Sequence, residues 1–490
     1  MGQSFTVALL QIRAYDLADH EQAWAELLRR IDDAAVESPR LIVAPEAAYP
    51  AGVLVSREAY TAAPLRGDAE VLATLGDRAR RHGCYIAAGL VLRDAFGLPQ
   101  NTAVLIAPGG AVIARAVESR GTAWSVAGAG PVTAAVDDTH IALFAGRDAA
   151  DPVLVAATVE DGVRVLVDTG AATSWGRALD RLPESRAHVL LAARAVEHGA
   201  WGLAPGKVGV EAATRVYAGR AGVVSPAGAW VARAPSDRPG IVLHEIDLDA
   251  ASGPPVAVRA ETAGEAAAEP ARAAAIAVAP TPSAVDLMEA LRAVVRAAAA
   301  QGARLIVLPD LAGAETRAVT SAESLPLLEA LSAETQTVVA VALAEREPSG
   351  GTTTKTMYLI DRGRTVASHR QSALSAAERA AGFAPGDAAP PVVATSHGAI
   401  GLLCGVEGLV PSIAAGLAAR GATLLAWCTG DLGLPIETLA RARAIETRRT
   451  VIAAGVAAPL GGGSVVDGRG TVVATTLEGR AMAALARLRD

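Results

Sequence analysis

Residues 41–46, Leu-Ile-Val-Ala-Pro-Glu, begin an internal repeat, because the chain returns to Leu-Ile-Val-Leu-Pro-Asp at residues 305–310. A second stretch, Ile-Ala-Leu-Phe-Ala-Gly at residues 141–146, returns as Ile-Gly-Leu-Leu-Cys-Gly at residues 400–405. Each is a short apolar run that ends in a turn-forming or acidic residue, which is typical of a buried strand leading into a loop. The two motifs come in the same order in both halves. The sequence therefore predicts two copies of one domain.

The flanking segments repeat as well. In each copy a strand, an amphipathic helix and the buried strand follow one another, and a β-hairpin comes later. The predicted segments are 6–12, 20–36 and 41–43 with the hairpin 101–106/112–114, and 274–279, 282–301 and 305–308 with the hairpin 356–360/365–367. Strands that alternate with helices predict a layered α/β domain.

The length of 490 residues is enough for two such domains. We assign the first to residues 1–250 and the second to residues 272–490. Residues 251–271 are rich in Ala, Gly, Pro and Glu with weak periodicity, so we predict a solvated linker.

Composition and charge argue against several classes of function. The net charge of -7 is modest for this length and no basic stripe is visible, so neither nucleic-acid nor membrane binding is expected. The N-terminus has no basic segment before its apolar run, which predicts a cytoplasmic protein. Three widely spaced cysteines predict neither a disulfide framework nor a zinc site. We expect no metal and no cofactor.

With these motifs the chain resembles the nitrilase superfamily, the carbon-nitrogen hydrolases. The signature of that family is an apolar strand ending in Pro-Glu, a later Lys, and a strand ending in a nucleophilic Cys. The resemblance implies an αββα sandwich for each copy. It also implies that two sandwiches pair as αββα-αββα, and a tandem chain would form that pseudo-dimer within one polypeptide.

The resemblance places the first set of catalytic positions as follows. Glu46 stands at the Glu position, and Glu118 falls on the Lys position, with Val117 as the alternative because the preceding turn is one residue longer than in the second copy. Gly146 falls on the nucleophile position, with Asp148 at the place of the acid in the family's Cys-Tyr-Asp. The first copy thus lacks both the thiol and the lysine.

In the second copy Asp310 replaces Glu, Gln371 replaces Lys and Gly405 replaces Cys. Glu407 stands at the flanking acidic position, and Glu378 is a candidate for the accessory Glu of the family. A glycine accepts the strained backbone of a nucleophile turn without steric cost, so the fold can persist without the chemistry.

The remaining thiols do not offer a replacement. Cys404 precedes the glycine by one residue, and successive strand residues face opposite sides, so its side chain is expected in the packed interior. Cys84 and Cys428 are treated as structural. Lysine is scarce, since the chain has only Lys207 and Lys355.

The first set of positions also includes a cation. Arg147 follows Gly146 directly and could pair with Glu46 and Glu118 in a structural ion-pair network. Alternatively the two carboxylates form an open site that holds an amine or a metal ion. The sequence leaves both open.

Three functions fit this pattern. The first is a catalytically degenerate pseudoenzyme that acts as a scaffold or binds a partner or an amide- or amine-like small molecule, with a second copy of the chain or another protein as the macromolecular partner. The second is an enzyme with thiol-independent chemistry that uses Glu46 with Glu118, or Asp310 with Glu407. The third is ordinary amidase or nitrilase activity, either through Cys404 or because the catalytic positions are aligned wrongly here, and the pattern favours it least.

Overall fold

The computed structural model describes residues 4–490 except 55, 123–124, 160–161, 175–184, 252, 254, 257–271, 278–283, 313–319, 347–351, 396, 431, 457–461, 478–481 and 488–490. The chain divides into two compact units, Met1–Pro254 and Pro255–Asp490. The predicted linker lies largely outside the described residues. The pairing of the two halves as a pseudo-dimer stays a prediction, and each unit is described by itself.

The first unit alternates strands and helices as the sequence predicts. Its strands are β1 (Ser4–Arg13), β2 (Leu41–Ala44), β3 (Tyr85–Arg93), β4 (Pro99–Ile106), β5 (Val112–Val117), β6 (Val132–Val136), β7 (Thr139–Phe144), β8 (Val163–Asp168), β9 (Thr173–Ser174), β10 (Trp201–Ala204), β11 (Gly206–Glu211), β12 (Arg215–Ala218), β13 (Gly222–Val224), β14 (Trp230–Arg233) and β15 (Gly240–Asp247). Its helices are α1 (His20–Ala35), α2 (Arg57–Ala62), α3 (Asp68–His82), α4 (Pro152–Thr158) and α5 (Arg186–His198).

These strands form two sheets. The first has the order β5-β4-β3-β2-β1-β11-β12-β9, with β15 also paired to β1, and the second has the order β14-β13-β10-β8-β7-β6. In β1, Val7 and Leu9 face the second sheet, whereas Ala8 and Leu10 pack on α1 and α3. The outer face of the second sheet is covered by α4 and α5. Side-chain alternation along each strand therefore fills both the space between the sheets and the helix layers outside them.

The second unit repeats this plan. Its strands are β16 (Arg272–Ala277), β17 (Leu305–Asp310), β18 (Val338–Arg346), β19 (Thr353–Asp361), β20 (Arg364–Arg370), β21 (Val392–Thr395), β22 (Gly398–Cys404), β23 (Leu424–Cys428), β24 (Thr450–Ala454), β25 (Ser464–Val466), β26 (Val472–Thr475) and β27 (Met482–Arg487). Its helices are α6 (Ala284–Ala300), α7 (Ser321–Thr335), α8 (Ala376–Ala380), α9 (Pro411–Ala419) and α10 (Ile436–Thr447).

The sheets of the second unit have the orders β20-β19-β18-β17-β16-β27 and β21-β22-β23-β24-β25-β26. Helices α6 and α7 pack on the outer face of the first of these sheets, and an apolar core that includes Cys404 lies between the sheets. Helices α9 and α10 contact the second sheet. The expected αββα sandwich is confirmed for both units.

One difference between the two units bears on the site among the described residues. In the first unit the hairpin β11–β12 extends the first sheet by pairing with the end of β1. This hairpin was not predicted from the sequence. It matters for the site because it carries Lys207 next to the loop that follows β2.

Candidate functional site

The strand-end carboxylates of the two units occupy equivalent places. Glu46 follows β2, and its backbone N–H donates to the carbonyl oxygen of Thr169, which follows β8. Asp310 ends β17, and its backbone N–H donates to the carbonyl oxygen of Thr429, which follows β23. The same bond between the two sheets thus holds each acid. We call the region around Glu46 the first pocket and the region around Asp310 the second pocket.

The residues at the expected Lys position also correspond in space. The backbone N–H of Glu118 donates to the carbonyl oxygen of Asn101 at 2.9 Å, and that of Gln371 donates to the carbonyl oxygen of Lys355 at 2.8 Å. Glu118 is therefore the structural counterpart of Gln371, and Val117 is not. The same register makes Asn101 the counterpart of Lys355.

A second pair of contacts supports this register. Asp148 accepts hydrogen bonds from the backbone N–H and the hydroxyl of Ser119. Glu407 accepts the same two bonds from Ser372. Because each serine directly follows the residue at the Lys position, Asp148 and Glu407 anchor the same loop in the two units.

The two glycines at the predicted nucleophile positions have left-handed backbones. Gly146 has φ = 57° and Gly405 has φ = 52°. A Cβ added to Gly146 would lie 2.5 Å from Cδ of Glu118, and one added to Gly405 would lie 2.5 Å from Oε1 of Gln371. Glu118 and Gln371 therefore occupy the space in which a side chain at Gly146 or Gly405 would begin.

The first pocket is held by an amide and a guanidinium. Asn101 Nδ2 donates to Glu46 Oε1 at 2.7 Å and to Glu118 Oε2 at 3.2 Å. The other oxygen of Glu118 accepts from the backbone N–H and Nε of Arg147, at 3.2 Å and 3.1 Å. The Arg147 side chain is 68% exposed, whereas that of Glu118 is 3% exposed. Arg147 thus pairs with Glu118, whereas Glu46 is linked to Glu118 only through the amide of Asn101.

Burial dominates the acid–base properties of this pocket. It raises the pKa of Glu46, and the nearby charge of Glu118 raises it further, against the opposing effect of Arg215. Burial also raises the pKa of Asp168 to about 7, although the backbone N–H of Gly170 donates to its Oδ1 at 2.8 Å. Asp168 was not singled out from the sequence. Its pKa makes it a carboxyl that changes charge near neutral pH.

The hairpin β11–β12 supports the loop after Glu46. Lys207 Nζ donates to the carbonyl oxygen of Ala47 at 2.8 Å and lies 3.9 Å from Glu211 Oε2. Glu211 accepts from the backbone N–H of Val53 at 3.0 Å and from the hydroxyl of Tyr217. Burial lowers the pKa of Lys207, with the charges of Glu211 and Glu46 opposing it. One of the two lysines is therefore a buried part of the first pocket's wall.

The second lysine lies within the second pocket. Lys355 Nζ is 2.7 Å from Asp310 Oδ2 and 3.0 Å from Glu378 Oε1. Burial lowers the pKa of Lys355, but these two carboxylates outweigh it and hold the pKa above its usual value. Gln371 Nε2 donates to Glu378 Oε1 at 3.1 Å, so Glu378 connects Lys355 to the residue that covers Gly405.

Glu407 belongs to a different set of contacts. It accepts from His369 Nε2 at 2.9 Å and from the backbone N–H of Cys404 at 2.9 Å, in addition to Ser372. Asp310 instead accepts from Lys355 and, through Oδ1, from the backbone N–H of Ala312. The structure does not bring Asp310 and Glu407 together as a hydrogen-bonded pair.

Cys404 is fully buried in the core between the two sheets of its unit. Burial raises the pKa of its thiol well above the usual value, and the nearby charges of Asp310 and Glu407 raise it further. Its side chain thus faces packed apolar groups, as strand alternation predicted. Cys84 and Cys428 are also buried.

Besides Asp168, two further site residues were not identified from the sequence, Asn101 and Lys355. Both lie on the first strand of a predicted hairpin, opposite the residue at the Lys position. The scarcity of lysine was a usable signal, because both lysines of the chain lie beside a strand-end carboxylate or its loop. Among the residues that the structure describes, no group of three or more His, Cys, Asp or Glu is placed to hold a metal ion. No described helix is long and apolar enough to cross a membrane.

Two αββα units, each with an acid after one buried strand and a glycine turn after another, define a tandem sandwich protein with a repeated pocket. The sequence profile of the carbon-nitrogen hydrolase family matches residues 6–253 and again residues 272–485. The chain therefore belongs to the carbon-nitrogen hydrolase family, with two domains in tandem.

Several solved structures are similar to half of the chain. An amidase from Nesterenkonia sp. is 22% identical, with 51% of this chain and 93% of that chain covered and a TM-score of 0.42. The NitN amidase from Nesterenkonia sp. AN1 is 23% identical, with 50% and 94% covered and a TM-score of 0.41. The NitFhit protein of C. elegans is 21% identical, with 51% and 63% covered and a TM-score of 0.43. No curated protein matches the sequence.

Proposed function

We propose that this protein is a non-catalytic member of the carbon-nitrogen hydrolase family that uses its pockets for binding a small molecule or a partner protein. The observation that carries the proposal is the pair of covered glycines. Gly146 lies under Glu118 and Gly405 lies under Gln371, so neither position offers a nucleophile or room for one. Covalent hydrolysis of an amide or nitrile requires such a group next to a base.

The cation that would stabilise a developing oxyanion is also missing from the expected position. Glu118 is acidic and Gln371 is neutral, whereas an oxyanion needs hydrogen-bond donors or a positive charge aimed at it. Lys355 offers a charge, but its ammonium is already held between two carboxylates. An ion pair of this kind favours a structural role for the lysine.

One observation favours a second candidate, thiol-independent acid–base chemistry in the first pocket. Burial raises the pKa of Glu46 and brings that of Asp168 to about 7, and a general acid or base works best with a pKa near the working pH. The contacts of Glu46 with Asn101 and the backbone N–H of Ala171 weigh against this candidate, because they occupy both carboxylate oxygens.

The test is turnover by the purified full-length chain of simple amides, nitriles and N-carbamoyl compounds between about pH 5 and 9. We expect no hydrolysis above that of buffer, and the same result for Cys404→Ala and Glu46→Gln. Turnover that Cys404→Ala abolishes would establish ordinary thiol chemistry. Turnover that survives Cys404→Ala but is lost in Glu46→Gln would establish the second candidate.

A further inference from the structure

Two of the three cysteines lie side by side on neighbouring strands of the second unit. Cys404 is the last residue of β22 and Cys428 is the last residue of β23, and these parallel strands pair with Cys404 directly opposite Cys428. Both residues are 0% exposed, and both belong to the apolar core between the two sheets. The two thiols are distant along the chain, so only the pairing of the strands brings them together.

The spacing of the two strands suits a disulfide. Neighbouring strands lie about 4.7–4.9 Å apart, and a disulfide joins residues whose Cα atoms are about 4.4–6.8 Å apart. On the other side of Cys428, the residue opposite it on β24 is Ala454. Because the alanine side chain is small, it takes up little of the space around the sulfur of Cys428. The two sulfurs therefore lie within reach of one S–S bond.

The surroundings of the pair disfavour charged forms of sulfur. Burial raises the pKa of both thiols well above the usual value, and the nearby charge of Asp310 raises both further. A sulfinate or a sulfonate would place a permanent anion in the same core, where an unpaired charge is costly. A disulfide is neutral and has no polar hydrogen. Of the stable oxidation products, it is the one that this core accommodates without burying a charge.

The pair lies where both strands end at the second pocket. Gly405 directly follows Cys404, and Thr429, whose carbonyl oxygen accepts from the backbone N–H of Asp310 at 3.1 Å, directly follows Cys428. The ends of elements open locally at a lower free energy than their centres, which gives a small oxidant a route to the sulfurs. A bond between the two sulfurs would join the glycine turn to the segment that holds Asp310.

We propose that Cys404 and Cys428 are a redox-sensitive pair, which a hydroperoxide converts into a disulfide between the ends of β22 and β23. In the locally opened chain one thiolate attacks the O–O bond of the peroxide, so that a sulfenic acid forms and an alcohol, or water from hydrogen peroxide, leaves. The second thiolate attacks that sulfur, the S–S bond forms, and hydroxide leaves as water after it takes up a proton. Two electrons thus pass from the sulfurs to the peroxide. The inference goes beyond the proposed function, because neither thiol is assigned to ligand binding.

The experiment treats the native full-length chain with hydrogen peroxide, removes the excess with catalase, and then alkylates the chain with iodoacetamide in urea. Intact-protein mass spectrometry counts the adducts. We expect three adducts for the untreated chain, and one adduct with the loss of two hydrogens for the treated chain. The remaining adduct should map to Cys84, which is also buried but is the only cysteine before residue 254. Reduction with a phosphine before alkylation should restore all three adducts.

Cys428→Ser is the matched control, because it nearly keeps the size of the side chain and removes the partner thiol, so it should not lose two hydrogens. The treated natural chain should also unfold at a higher urea concentration than the untreated one, since the disulfide closes residues 404–428 into a loop in the unfolded state.

Several results would overturn the inference. One is three adducts on the treated natural chain at a peroxide dose that oxidises the urea-unfolded chain. Others are added oxygen in place of the cross-link, a cross-link between two chains, or the same loss of two hydrogens in Cys428→Ser. An unchanged or lower unfolding midpoint would contradict a disulfide that fits the native strands.

Discussion

Asp168 provides a sharp test of the electrostatics of the first pocket. It ends β8, is 5% exposed, and accepts one hydrogen bond from the backbone N–H of Gly170. Burial raises its pKa from 3.8 to about 7, and the nearby charges of Glu46 and Asp148 add to this increase. The folded chain therefore keeps this carboxyl neutral over a pH range in which the unfolded chain ionises it.

The sign of the effect follows from proton linkage. Between pH 4 and pH 7 the folded state binds more protons at Asp168 than the unfolded state, so its contribution to the free energy of unfolding falls as the pH rises. Above about pH 7 the group is charged in both states and the loss is complete. The rise of the pKa from 3.8 to about 7 corresponds to a loss of about 4 kcal/mol in the free energy of unfolding at pH 8.

Asp168→Asn removes this penalty, because the amide stays neutral and its oxygen can still accept from Gly170. We expect the free energy of unfolding of the variant to exceed that of the natural chain by up to about 4 kcal/mol at pH 8, and by little at pH 4. Urea unfolding followed by tryptophan fluorescence measures this difference in stability. The signal reports mainly on the unit that contains Asp168, since five of the six tryptophans precede residue 254. Asp138→Asn, at an exposed aspartate between β6 and β7, is the control and should show no such gain.

Two results would contradict a buried, destabilising charge at Asp168: equal stability of Asp168→Asn and the natural chain at pH 8, or a stability difference that does not change between pH 4 and pH 8. The first result would mean that the carboxylate is adequately solvated or paired in the fold. The second would mean that the effect of the substitution comes from packing and not from charge.

Two further predictions concern the second pocket. Lys355→Met leaves two buried carboxylates without their cation and should lower the free energy of unfolding by about 3–5 kcal/mol. The control Arg346→Met, at an exposed arginine of β18, should change this free energy little. Equal effects of the two substitutions in urea unfolding would contradict the ion-pair assignment. Gly405→Ala should lower the free energy of unfolding by about 2–4 kcal/mol, because the left-handed backbone disfavours a Cβ and the added Cβ contacts Gln371. In a Gln371→Ala background this loss should fall to about 1–2 kcal/mol. Gly433→Ala supplies the backbone cost alone, because Gly433 has φ = 61° and no atom of the described residues beyond its chain neighbours lies within 4 Å of the added Cβ. An unchanged cost of Gly405→Ala without the Gln371 side chain would show that Gln371 does not cover the turn.

The fold was largely predictable because the chain repeats it. Apolar runs such as residues 41–44 and 305–308 mark buried strands in both halves, and α1 ends within one residue of its predicted end. Periodicity alone gave only a layered α/β domain, and the αββα arrangement came from the family resemblance. The hairpin β11–β12 was missed because its second strand, Arg215–Ala218, is short and carries polar residues.

The positions of the site were predictable only along the chain. Glu46, Gly146 and their counterparts lie at strand ends, where sequence order fixes their place. Asn101 and Lys355 reach the site from the neighbouring strand of a hairpin, and their contacts depend on strand register, which a one-residue shift would reverse. The choice between Glu118 and Val117 was open for the same reason, and the backbone bond to Asn101 makes Glu118 the counterpart of Gln371.

The central claim is that neither pocket contains a reactive thiol, and alkylation of the native chain by iodoacetamide tests it most directly. Intact-protein mass spectrometry should show that the native chain is modified far more slowly than the urea-unfolded chain, which takes up three adducts, one for each cysteine. Rapid addition of a single adduct to Cys404 in the native chain, with parallel loss of a measurable amide or nitrile hydrolysis, would contradict the account.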